Sequence, residues 1–156
     1  MTEVSTNFKK LNLKREILDN LDSLGYLTIT PIQEQSLHFI LEGRDFIGQA
    51  NTGSGKTAIF ALGILSKIDV MNRYPQALVI VPTHELANQV TNEIRLLARF
   101  SKNVKVLTLS GGSEERYVVK SLHQGAHIIV GTPGRLIKML EKGTLNPSCM
   151  TSLVLD

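Results

Sequence analysis

The stretch QANTGSGKTAIF, residues 49–60, constrains this chain more than any other. Gly55-Lys56-Thr57 should follow a short strand and open a helix, the order that a phosphate-binding loop requires. In such a loop the glycines let backbone N–H groups turn inward on an anion. The helix that follows adds the partial positive charge of its N-terminus. Lys56 would reach the β- and γ-phosphates of a nucleoside triphosphate, and the Thr57 hydroxyl would ligate Mg2+. One position departs from G-x-x-x-x-G-K-[ST]: Ala50 stands where the first glycine is usual. The plainer alternative is a glycine-rich turn with no ligand.

The rest of the chain offers such a loop a consistent frame. Strands are expected at Asp45–Gln49, Ala77–Val81, Val104–Leu109, His127–Val130 and Leu153–Leu155. Helices are expected from Gly55 to about Lys67, Glu85 to Phe100, Ser113 to Leu122 and Gly134 to Lys142. Ahead of them, Leu13, Ile17, Leu21 and Leu24 recur at helical spacing, with Gly25 placed as a C-cap. Another helix should begin at Thr30-Pro31 and run to about Leu41. Short apolar strands alternating with helices predict an α/β domain, a mostly parallel sheet with helices on both faces. Ligands of such sheets bind at the C-terminal strand edge. The loops after Gln49, Val81, Leu109, Val130 and Leu155 therefore matter most.

Composition narrows the classes further. A length of 156 residues, 42% of them hydrophobic, fits one domain with a sizeable core. No segment approaches the roughly 18 consecutive apolar residues of a membrane span, so no membrane partner is expected. The start, MTEVSTNFKKLNLK, is polar and lacks the apolar stretch of a secretory signal. Cys149 is the only cysteine, which excludes an internal disulfide or a cysteine zinc cluster and suits a reducing, cytoplasmic setting. His38, His123 and His127 lack metal-ligand spacing. The net charge of +3 is compatible with an anionic partner such as nucleic acid.

The A-x-T-G-S-G-K-T form of the phosphate loop resembles that of the DEAD-box RNA helicases. From Phe8 to Asp156 the remaining segments agree. GYLTITPIQ (Gly25–Gln33) resembles the Q motif that reads adenine, with Phe8 as the isolated aromatic upstream. PTHELA (Pro82–Ala87) looks like motif Ia, Gly111-Gly112 like the GG doublet, and TPGR (Thr132–Arg135) like motif Ib. TSLVLD ends on the first letter of D-E-A-D. Within the family, YLTITPIQ, QALVIVPTHELANQV and LTLSGG look most like the bacterial DbpA type, which would imply work on ribosomal RNA.

The resemblance implies a RecA-like P-loop domain with ATP and Mg2+ as cofactors. Phe8, Tyr26 and Gln33 would hold the adenine. Ala50, Asn51, Thr52, Gly53, Ser54, Gly55, Lys56 and Thr57 would hold the phosphates, and Thr57 and Asp156 the Mg2+. Lys56, Thr57 and Asp156 would serve catalysis. Pro82, Thr83, His84, Glu85, Gly111, Gly112, Thr132, Pro133, Gly134 and Arg135 would meet RNA, mainly at sugar and phosphate and so with little sequence preference. The same resemblance sets the expected domains: residues 1–33 as an extension carrying the Q motif, and 34–156 as a first RecA-like domain truncated at motif II. The Glu that follows this Asp in the family, and the arginine fingers of a second RecA-like domain, would lie outside the chain. The fragment should then bind adenine nucleotide weakly without hydrolysing ATP appreciably or unwinding RNA. Its parent would be an ATP-dependent RNA helicase, in ribosome assembly or RNA metabolism, that unwinds duplexes locally.

Two positions depart from the family pattern. Ile29 replaces a proline in the Q motif. His84 replaces the arginine of motif Ia, removing a permanent charge and five donors. Plain readings also stay open for each motif. Gln33 lies three residues after Thr30 with Pro31 between, a capping box, although its amide could equally pair with adenine N6 and N7. PTHELA and TPGR are ordinary helix starts. Gly111-Gly112 before Ser113 is a tight turn with a Ser N-cap. Two other functions remain: another class of P-loop NTPase, which would show no adenine preference, or a complete nucleotide-gated RNA-binding module.

Overall fold

A computed structural model describes residues 7–111 and 114–156. The chain divides into two compact units, one up to Lys67 with Leu96–Ser101, the other Ile68–Arg95 with Lys102–Asp156.

In the first unit, α1 spans Arg15–Ser23, α2 Pro31–Leu41 and α3 Lys56–Lys67. Ile17 and Leu21 form the buried face of α1 at the spacing the sequence sets, and Gly25 follows in the left-handed region (φ +77°). Between them Asn20 is fully buried. Its Nδ2 donates to the carbonyls of Leu96 (2.9 Å) and Leu97 (2.7 Å), which close helix α4 (His84–Leu97); the Leu96 carbonyl also accepts the Arg99 N–H at 3.3 Å. Helix α2 packs on α3 closely enough that a Cβ on Gly63 would collide with Ile40. Glycine in mid-helix costs about 1 kcal/mol against alanine, and here it admits the neighbouring helix.

The second unit is built on four parallel strands in the order β2-β3-β1-β4: β1 Ala77–Ile80, β2 Val106–Leu109, β3 Ile128–Gly131 and β4 Ser152–Leu155. One face of the sheet carries Leu78, Leu107, Leu109 and Ile129. They share a core with Val118 of α5 (Glu115–His123), Leu136 and Met139 of α6 (Pro133–Glu141), and Leu145. Full burial of each such side chain stabilises by about 1.5–3 kcal/mol. On the other face Thr108 shares a 2.8 Å hydroxyl hydrogen bond with Thr91 of α4, and Arg95 donates to the Val106 carbonyl at 2.8 Å. Helices thus cover both faces, which is why β1 and β3 read as unbroken apolar runs.

The register matters most for function. Ile80 pairs with Gly131 and Leu155, and Leu109 pairs with Gly131, so all four strands end level. The segments beginning at Val81, Ser110, Thr132 and Asp156 therefore leave from one line. β4 closes one side of the sheet, with Leu153 and Leu155 65% and 76% exposed. No helix among the described residues is long and apolar enough to cross a membrane.

The strand expected at Asp45–Gln49 does not form. Residues 44–50 carry no regular structure, Phe46 is exposed and Ile47 is 100% exposed. A strand exists only through its ladder, and these residues pair with none among those described. Smaller shifts concern boundaries: α4 starts at His84 and stops at Leu97, β2 starts at Val106, and β3 continues to Gly131. Gly112 and the Ser113 cap fall outside the described residues; α5 starts after Glu114.

Candidate functional site

The phosphate loop lies in the first unit and is shaped by two glycines in the left-handed region, Gly53 (φ +79°) and Gly55 (φ +88°). They turn the chain into α3, which opens on Lys56 and Thr57, both half-buried. The Lys56 ammonium folds back on its own loop, donating to the carbonyls of Ala50 and Asn51 (3.1 Å to the latter). Asn51, Thr52 and Gly53 are exposed.

The Q segment grips this loop from α2. Gln33 is 2% exposed, and its Oε1 accepts the Thr30 N–H at 3.0 Å, completing the capping box. Its Nε2 donates to the Gly55 carbonyl at 3.2 Å, and the Thr30 hydroxyl donates to the Ser54 carbonyl at 2.9 Å. A Cβ on Gly55 would fall on the Gln33 amide, so both backbone angle and packing demand glycine there. Thr30 was not among the expected site residues. Its position as N-cap was the signal available, but the bond to a residue 24 positions away was not.

Does this loop suit a nucleotide triphosphate? The buried Ser54 hydroxyl has no hydrogen-bond partner among the described residues. A buried orphan of this kind costs about 1–3 kcal/mol and asks for a ligand or water. With the α3 N-terminus and the lysine beside it, the donor set fits phosphate. Among the described residues no three His, Cys, Asp or Glu side chains cluster as a metal cage. That is compatible with Mg2+, which usually takes most of its ligands from phosphates and water.

Phe8 is buried within the first unit. It is 2% exposed and meets Tyr26 edge-on, ring centroids 6.2 Å apart at 70°. Tyr26, half-buried, is the more accessible of the two aromatics.

The remaining expected residues lie in the second unit, along the C-terminal edge of its sheet. After β1, Pro82, Thr83, His84 and Glu85 are exposed, and the Thr83 hydroxyl caps α4 by accepting the Leu86 N–H at 3.2 Å. After β2, the exposed Gly111 donates its N–H to His84 Nδ1 at 2.9 Å. After β3, Thr132 is the extended N-cap of α6 and its carbonyl accepts the N–H groups of Arg135 (3.1 Å) and Leu136 (3.0 Å). Pro133 occupies the first helical position, Gly134 is exposed and Arg135 half-buried. After β4, the exposed Asp156 donates its N–H to the Ile80 carbonyl at 3.0 Å, extending the ladder by one residue. Two helix N-termini thus lie at one edge, their dipoles favouring negative charge there. Below them Lys142 at the end of α6 pairs with Glu115 of α5 at 2.8 Å. That bond, with the charges of Lys142 and Arg135, lowers the Glu115 pKa.

Comparison with known proteins gives these features a family. Residues 30–156 match the model of the DEAD/DEAH box helicases. The ATP-dependent RNA helicase DbpA of Escherichia coli K12 is 51% identical over 152 residues, covering 97% of this chain and 33% of that protein. The ATP-dependent RNA helicase DeaD of Klebsiella pneumoniae is 46% identical over 156 residues, covering all of this chain and 24% of its own. The chain thus spans a quarter to a third of these relatives. Among solved structures, a DEAD box protein from the hyperthermophile Methanococcus jannaschii superposes with a TM-score of 0.91 at 37% identity, over 96% of this chain and 41% of that one. S. cerevisiae Dbp5 L327V bound to RNA and ADP BeF3 gives 0.87 at 28% identity, over 96% and 38%. The phosphate loop, the two helix starts and the terminal carboxylate stand in a chain that belongs to the DEAD/DEAH box helicase family.

Proposed function

We propose that these residues bind ATP and the RNA backbone within an ATP-dependent RNA helicase that separates short duplexes locally. The observation that carries this reading is Gln33, whose amide joins the Q segment to the phosphate loop through Gly55. A Gln that only capped α2 would have no reason to reach the loop. Its second N–H and second oxygen lone pair remain for adenine N7 and N6, a pattern guanine cannot match. Tyr26 lies beside Phe8 and offers an apolar surface to the base.

Lys56 would exchange its two loop carbonyls for phosphate oxygens, and the first-turn amides of α3 would neutralise further charge. Mg2+ bound with the nucleotide would supply charge neutralisation at the phosphates, and Thr57 is the residue of the phosphate loop proposed to hold it. At the sheet edge, the N-termini of α4 and α6 with Arg135 would take successive phosphates of one strand. Because these contacts avoid base edges, binding should depend on salt far more than on sequence. Hydrolysis would require a water-orienting carboxylate and arginine fingers from outside these residues, the latter on a second RecA-like domain. A cytoplasmic role in ribosome assembly or RNA metabolism is the setting the DbpA-type resemblance suggests.

The test is nucleotide selectivity and turnover. A fluorescent ATP analogue should bind and be displaced by ATP but not GTP, while the 156 residues alone turn over no ATP with RNA present. Equal displacement by GTP would favour another P-loop NTPase class. Robust RNA-stimulated ATPase activity from the 156 residues would overturn the division of labour proposed.

A further inference from the structure

We propose that His84 is a positioning residue for RNA binding, a neutral imidazole that fixes the loop after β2 to the start of α4 before RNA arrives. The inference rests on the RNA-backbone reading above and adds to it how two of its loops are held. His84 Nδ1 accepts the Gly111 N–H at 2.9 Å. The two residues leave β1 and β2, which are not neighbours in the sheet, since β3 lies between them. The bond therefore reaches past the end of the intervening strand, 27 residues away in sequence.

Packing supports the same pairing. A Cβ on Gly111 would stand 2.7 Å from His84 Nε2 and 2.8 Å from Cε1, so the imidazole rests against the glycine. Gly111 is not among the residues with left-handed φ. Its backbone would accept alanine; what an added side chain would have to displace there is the imidazole. An arginine at residue 84 has five donors and no acceptor, so it cannot take up an amide proton. This chain thus gives up a fixed charge at that position and gains an acceptor. Loop order held in advance lowers the entropy lost on binding. His84 thereby helps RNA through Gly111, without any charge of its own.

The experiment uses the full-length protein carrying these residues, a fluorescein-labelled uridine decamer and ADP-beryllium fluoride, with binding read by anisotropy. His84→Leu keeps bulk and removes the acceptor; His84→Asn keeps an acceptor oxygen on the same carbon. His84→Leu should weaken binding about three- to tenfold, the range of one neutral hydrogen bond, with unchanged melting temperature. His84→Asn should recover most of that loss. Gly111→Ala should weaken binding in the wild-type background and have no effect when His84 is alanine, a coupling that separates contact from general damage. Binding by His84→Leu within twofold of wild type would overturn the proposal, as would an equal Gly111→Ala penalty in both backgrounds. A wild-type protein that does not bind the decamer would overturn the RNA-backbone reading itself and the proposal with it, a result distinct from either.

Discussion

The Gln33 amide sits 3.2 Å from the Gly55 carbonyl, so the residue that caps α2 also holds the phosphate loop in place. Gln33→Ala should therefore act twice. It removes a capping contact worth about 1 kcal/mol and a loop tie of similar size. We expect a lower melting temperature together with about tenfold weaker binding of ATP, measured by thermal denaturation and displacement of a fluorescent analogue. Lost affinity with unchanged stability would mean that Gln33 is not a cap.

The two left-handed glycines of the loop should respond differently to alanine. At Gly53 nothing lies within 4 Å of an added Cβ, so only backbone strain of about 1 kcal/mol opposes it. At Gly55 the same strain is joined by collision with Gln33. Gly55→Ala should abolish nucleotide binding where Gly53→Ala merely weakens it. Equal loss in titrations of both variants would contradict the role given to Gln33.

Asn20 ties the end of α4 from inside the first unit. Asn20→Ala deletes two hydrogen bonds and leaves the Leu96 and Leu97 carbonyls without their side-chain donor, so about 2–3 kcal/mol of stability should be lost. Urea denaturation gives the value; a change below about 0.5 kcal/mol would show the carbonyls well served by water.

His127 gives stability a pH dependence. Burial lowers its pKa, while its Nδ1 accepts the Lys105 N–H at 2.9 Å and a backbone hydrogen bond at Val70 opposes the shift. With the folded value below the unfolded value of about 6.5, the unfolded chain binds more protons between the two. Stability should thus be complete above pH of about 6.5, fall as the pH drops through that window, and level off below the folded value. His127→Asn should flatten this slope in melting temperatures taken between pH of about 7.5 and 5. An unchanged slope would assign it to other groups.

Much of this architecture is legible in the sequence, because it rests on short-range rules. The phosphate loop, the Thr30-x-x-Gln33 cap and the apolar runs of β1 and β3 each announce themselves within a few residues. What the sequence conceals are relations between distant residues. Asp45–Gln49 carries Phe46 and Ile47, as a strand would, yet a ladder needs a partner that local pattern cannot supply. Phe8 is one aromatic in a polar stretch, and nothing near it discloses that Tyr26 lies against its edge. The bonds Gln33–Gly55 and His84–Gly111 span 22 and 27 residues and follow from the fold alone.

The open side of β4 carries a practical consequence. Among the described residues β4 is an edge strand of the sheet, and its unpaired N–H and C=O groups, beside the exposed Leu153 and Leu155, invite a further strand to add. Prepared as a separate polypeptide, these 156 residues should be prone to associate through Leu153 and Leu155, and solubility in the test tube will turn on those two side chains before any question of chemistry arises.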